Sequence, residues 1–122
     1  MRTGIDITSV DRLRQVAQRH PGILARIFTA DELVDAGLSR QRWPRLAARF
    51  AAKEALIKAA GGLHGSSYRQ IVVRRQPKGP PIILTSGPLS GWLEQNSLRV
   101  VVTLSHEDAY AVAWVMLEID GG

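Results

Sequence analysis

The stretch LAARFAAKEALIKAAGG, from Leu46 to Gly62, decides how the rest of the chain is read. Ala, Leu, Lys, Glu and Arg dominate it, so intrinsic propensity favours helix, and Gly61-Gly62 supplies a C-terminal stop. At helical spacing Glu54 falls in the middle of a stripe made by Ala47, Phe50, Ala51 and Ile57, with Lys58 one turn further on. A carboxylate on a core-facing stripe needs a partner, because unpaired burial costs several kcal/mol or forces protonation. Lys58, a metal ion or a solvated cleft could each supply what Glu54 needs. Spacing alone favours an ordinary Glu54–Lys58 pair, worth about 0.2–0.5 kcal/mol on an exposed helix.

Outward from this helix, the 122 residues are expected to form a single domain over 1–122, with some surface left for burial between copies. The longest uncharged apolar run, Ala109 to Leu117, is far shorter than the about 20 residues a bilayer-spanning helix needs. Arg2 leads straight into Gly4-Ile5-Asp6 with no apolar stretch of signal-peptide length, so a cytoplasmic protein is expected. The absence of cysteine excludes disulfides and thiol nucleophiles. A net charge of +5 points to a polyanionic partner: a phosphate-rich small molecule, an acidic protein or a nucleic acid. Few aromatic residues and no recognisable nucleic-acid signature put nucleic acid last.

Gly4-Ile5-Asp6-Ile7-Thr8 alternates like a short strand, with Ile5 and Ile7 on one face and Asp6 on the other. Aspartate is depleted in strands, so Asp6 is a second misplaced carboxylate. Thr8 or Ser9 caps a short amphipathic helix over Val10 to Arg19, broken by His20-Pro21-Gly22 and followed by a further turn or two over Ile23 to Phe28. Thr29 to Glu32 has capping-box spacing ahead of another short helix, and Asp35 to Pro44 reads as a basic loop entering the central helix. Ile71 to Arg74 and Pro81 to Leu84 form a hairpin, and Ser86 to Asn96 a short helix packed on the sheet. Leu98 to Leu104 and Tyr110 to Leu117 are strands joined by Ser105-His106-Glu107-Asp108. The second is apolar on both faces, as a central or interface strand would be, and Trp114 on it reads as core or oligomer contact.

Taken together, GIDITSVDRL, RFAAKEALIKAAG and LSHEDAYAVA, in that order and near the start, middle and end, resemble the three signatures of holo-acyl-carrier-protein synthases, the small group of 4′-phosphopantetheinyl transferases. Gly79-Pro80-Pro81 is similar to the family's Gly-x-Pro hairpin. The resemblance implies an α+β fold, a small antiparallel sheet packed with a long central helix and short helices, assembled as a homotrimer with sites at subunit interfaces. It implies transfer of 4′-phosphopantetheine from coenzyme A to a serine of an acidic apo acyl carrier protein in lipid or polyketide synthesis, releasing adenosine 3′,5′-bisphosphate. By the same resemblance Asp6 and Glu54 bind Mg²⁺ and Lys58 contacts the transferred phosphate, so Glu54 and Lys58 are the expected catalytic pair. Arg49 and Lys53 match positions at the nucleotide end of coenzyme A, and Ser105 with His106 approaches that ligand from a neighbouring subunit. Arg12, Arg19 and Arg26 fall where the carrier protein docks.

Three departures stand out. Gly22 replaces an arginine of some members, and Thr8 replaces the acidic residue of the larger, pseudodimeric transferases. The short link after Lys58 lacks a tryptophan often found before the first hairpin strand, a place Tyr68 could fill. The sequence leaves open whether Glu54 or a water takes the serine proton. Two competing classes share parts of the pattern. A non-catalytic basic module explains the charge but gives Asp6 and Glu54 no role, and another Mg²⁺-dependent phosphotransferase shares the carboxylates but not the carrier protein.

Overall fold

The computed structural model describes residues 1–120. Strand β1 (Arg2–Ser9) leads into helices α1 (Val10–Arg19), α2 (Ile23–Ile27), α3 (Ala30–Ala36) and α4 (Arg42–Ala60). A single 3₁₀ turn, Tyr68–Gln70, then precedes β2 (Ile71–Arg74), β3 (Ile82–Thr85), α5 (Gly87–Gln95), β4 (Leu98–His106) and β5 (Tyr110–Ile119). β1, β5 and β4 form an antiparallel sheet with β5 in the middle, and β2 pairs with β3 in a separate hairpin. This is the expected α+β architecture, with α4 lying along β1 and β5.

Local chemistry explains most boundaries. The Ser9 hydroxyl accepts from the Arg12 backbone N–H to cap α1, and Thr29 and Glu32 form a complete capping box on α3. Gly61 ends α4 at φ 78°, while Gly61 and Gly62 donate back to the Lys58 and Ile57 carbonyls. The helix begins at Arg42, four residues before Leu46. Pro44 is no obstacle there, because a first-turn residue has no intrahelical N–H bond to lose. Ser105 and His106 are the last residues of β4, not part of the connection after it.

The stripe reading of α4 is corrected. Ala47, Ala48, Ala51, Ala52, Ala55, Leu56, Ala59 and Ala60 are all buried, so the core wraps most of the helix. Phe50, Glu54, Ile57 and Lys58 form the seam that stays open. Alanine makes this possible, since side chains that short let neighbours pack close on several sides.

The closest approach is at Gly4. A Cβ placed there would lie 2.1 Å from the Ala55 carbonyl oxygen and 2.7 Å from the Ala59 nitrogen. β1 therefore rests directly on α4 with Gly4, Asp6 and Thr8 facing inward, while Ile5 and Ile7 face away at 57% and 67% exposure. Gly4→Ala is expected to cost about 1–3 kcal/mol or more, because backbone and not a flexible side chain blocks the new methyl. Urea unfolding measures it, and an unchanged midpoint would contradict this packing.

Candidate active site

The direct contact of β1 with α4 brings Asp6 beside the open seam of the helix. Lys58 Nζ donates to Asp6 Oδ1 at 3.0 Å and to the Ile5 carbonyl at 2.9 Å. The Thr8 hydroxyl donates to Asp6 Oδ2 at 2.8 Å. Glu54 does not pair with Lys58. Its Oε1 accepts from the Tyr68 hydroxyl at 2.5 Å, so the ordinary i,i+4 pair expected from spacing is absent. Burial first, and then the Glu54 carboxylate, pushes Tyr68 up to about 12, which keeps its hydroxyl protonated as a donor.

Asp6 and Glu54 open into one cleft of about 760 Å³ between α1, α2 and α4. Its walls are largely apolar, including Leu13, Val16, Ile23 and Phe50, and Arg12 and Arg26 stand among them. Arg19 lies in the last turn of α1, exposed, and does not line this cleft. Gly22 adopts φ 96°, a left-handed conformation that a larger side chain such as arginine would hold only under strain.

Among the described residues no cluster of three or more His, Cys, Asp or Glu could enclose a metal ion. A metal at Asp6 and Glu54 would therefore have two protein carboxylates and take its other ligands from substrate and water. Hard oxygen donors in that number suit Mg²⁺, which keeps several waters and favours phosphate oxygens. The Thr8 hydroxyl is a rotor that can turn its proton away from Oδ2, so that oxygen can be released without moving the strand.

Arg49 and His106 line a second cleft of about 310 Å³, with Arg45, Arg75 and Gln76. It shares no lining residue with the first. Partial burial, then Arg45, Arg49 and Arg75, hold His106 below the usual imidazole value. Burial pulls Arg49 below the ordinary guanidinium value, against its 3.3 Å ion pair with Asp35. The Arg49 Nε is buried without a hydrogen-bond partner among the described residues, a donor in need of an acceptor. So many cations around one opening suit an anion. Ser105 lies beside His106 at the end of β4, in a shallow pocket with Ile7 and Tyr110.

Lys53 departs from expectation. It is fully buried, and its ammonium donates to the Ile27 carbonyl at 2.7 Å, Glu32 Oε1 at 2.7 Å and the Tyr68 carbonyl at 3.1 Å. With three donors engaged it has none to offer a nucleotide. Burial pulls Lys53 below the ordinary amine value, and Glu32 opposes that shift. Glu32 Oε2 in turn accepts from the Val73 N–H at 3.0 Å. In the sequence Glu32 shows only as a capping residue, and no local signal links it to Lys53.

Known proteins resemble this chain over nearly its whole length. The profile of the 4′-phosphopantetheinyl transferase superfamily matches residues 2–115. The chain belongs to that superfamily. A holo-[acyl-carrier-protein] synthase of Moorella thermoacetica is 39% identical over 97% of this chain and 94% of the relative. The crystal structure of the Neisseria meningitidis holo-[acyl-carrier-protein] synthase is 34% identical, with a TM-score of 0.85 over 96% of this chain and 97% of that one. The Bacillus anthracis synthase, solved in complex with coenzyme A (3′,5′-ADP), is also 34% identical, with a TM-score of 0.79 over 98% and 96%. The chain is accordingly an enzyme, a phosphopantetheinyl transferase.

Proposed function

We propose that residues 1–122 are a single transferase domain that moves 4′-phosphopantetheine from coenzyme A to a serine of an acidic apo acyl carrier protein in the cytoplasm. The observation that carries this reading is the convergence of Asp6, Glu54 and Lys58 at one cleft edge, in a chain of this superfamily. Relatives named as acting on acyl carrier protein, and one solved with coenzyme A, support the substrates. An apolar cleft flanked by Arg12 and Arg26 suits an acidic helical partner, with Arg19 further along the same helix.

In this reading the serine oxygen bonds to the β-phosphorus of coenzyme A. The bond from that phosphorus to its bridging oxygen breaks, and adenosine 3′,5′-bisphosphate leaves. Asp6 and Glu54 would hold Mg²⁺, which would supply charge neutralisation on the pyrophosphate. Lys58 uses two of its donors on Asp6 and Ile5, so a third remains for a phosphate oxygen. Glu54 Oε1 is taken by Tyr68 and Oε2 is the oxygen left to hold the metal, so the serine proton would pass to water. Positioning and charge neutralisation do most of the work in such transfers. Arg49 and His106 bind the nucleotide end, together with Ser105, while Lys53 holds the wall behind them.

A homotrimer completes the reading. The outer face of the three-stranded sheet exposes Ile5, Ile7, Val101 and Trp114, an apolar face of the kind that another copy can cover. The carboxylates and the Arg49–His106 set open into separate clefts, so one ligand meets both most simply across two copies.

Incubation with coenzyme A, Mg²⁺ and an apo carrier protein should add about 340 Da to the carrier by intact mass, as transfer of this group requires. Glu54→Gln should abolish that gain while the helix stays folded, and a fully active variant would sink the metal assignment. Charge reversal at Arg12 or Arg26 should raise KM for the carrier roughly three- to tenfold and flatten its salt dependence. An unchanged KM would remove the carrier from this face. Trp114→Glu should yield monomers by light scattering and lose transfer; a trimer of unaltered mass would count against assembly through the sheet.

A further inference from the structure

Tyr68 is joined to the site at both ends. Its ring stacks on Phe50, with centroids 6.0 Å apart and planes at 17°, one helical turn before Glu54. Its backbone carbonyl accepts from the buried Lys53 ammonium, itself fixed by Glu32 and Ile27. With ring and backbone both fixed, the hydroxyl reaches Glu54 Oε1 at 2.5 Å inside the cleft that Asp6 also lines. We propose that Tyr68 is a positioning residue: its hydroxyl holds one oxygen of Glu54 so that the other is presented toward Asp6 for a divalent cation.

A free glutamate side chain rotates among several conformers, and binding a cation would have to order it. The Tyr68 hydrogen bond imposes that order beforehand. Partners that hydrogen-bond a ligating carboxylate commonly tune metal affinity by about tenfold or more when removed. Lys53 acquires an indirect part in this arrangement, since it anchors the Tyr68 backbone and not the substrate.

The inference rests on the metal-site reading above, and the test separates the two. Tyr68→Phe keeps the ring against Phe50 and removes only the hydroxyl; Tyr68→Trp is a second ring without it. Mn²⁺ serves as the paramagnetic probe, titrated by electron paramagnetic resonance with coenzyme A present, alongside thermal unfolding and coenzyme A binding without metal. Mn²⁺ affinity should fall about tenfold in the variant that remains folded, with metal-free coenzyme A affinity unchanged. Unchanged Mn²⁺ affinity in a folded variant lacking the hydroxyl overturns the role of Tyr68. So does an equal loss of metal-free coenzyme A binding, which would mark a general distortion. A native chain that binds no Mn²⁺ overturns the metal-site reading itself and this inference with it.

Discussion

The contact of Gly4 with the backbone of α4 at Ala55 is the constraint on which the site depends. No other residue type fits between strand and helix there, and the alanines around it keep the helix slim. Two residues further along β1 the strand still faces the helix, and there it presents Asp6 and not an apolar side chain. That is tolerable only because α4 meets it with an open seam carrying Lys58, so the carboxylate keeps a cation and a hydroxyl as partners. Packing and chemistry are therefore set by the same approach. A strand held farther away would strand Asp6 from Lys58, and a bulkier helix would force that distance.

Behind the seam, the Lys53–Glu32 pair performs a different task. Fully buried charges are costly, and their mutual attraction offsets that cost only when the remaining donors and acceptors are also satisfied. Here they are: the ammonium reaches two backbone carbonyls, and the carboxylate also accepts from the Thr29 and Val73 N–H groups. The result ties α2, α3, the 3₁₀ turn and β2 to the central helix. Three of those elements wall the clefts: α2 and the 3₁₀ turn line one through Ile27 and Tyr68, and β2 lines the other through Val73. Neighbouring charges on α4 thus divide the labour, Lys53 inward as scaffold and Glu54 toward the cleft.

Features written in short-range chemistry were legible in the sequence. The glycine stop after α4, the Thr29–Glu32 capping box, the Ser9 cap and the central position of β5 each follow from a few adjacent residues. Asp6 and Glu54 were legible as anomalies, and the family signatures around them gave that anomaly a meaning. The orientation of α4 was not, because an alanine-rich helix has no single apolar face, and the wheel put Glu54 on the core side when three neighbours of its seam lie open. Nor could spacing assign Lys58 to Asp6, Glu54 to Tyr68 or Lys53 to Glu32. These are tertiary choices between partners far apart in the chain, decided by which side of the helix the strand covers.

β1 also inverts the usual strand pattern: its isoleucines face out, while glycine, aspartate and threonine face the helix. The inversion makes sense if the outer face is meant for another copy. Ile5 pairs in register with Trp114, and Ile7 with Val112, so the outward isoleucines continue the exposed apolar face of β5. In the proposed trimer that face would be buried, and the strand carrying Asp6 would be held between its own helix and a neighbouring subunit. Ile7 borders both the carboxylate cleft and the pocket beside Ser105 and His106. Assembly would then act on the site in two ways, by fixing the backbone that aims Asp6 and by bringing a second copy's basic cleft toward the first copy's carboxylates. In the proposed trimer a lone chain would carry the residues of the site but lack the shared boundary along which they would face a single ligand.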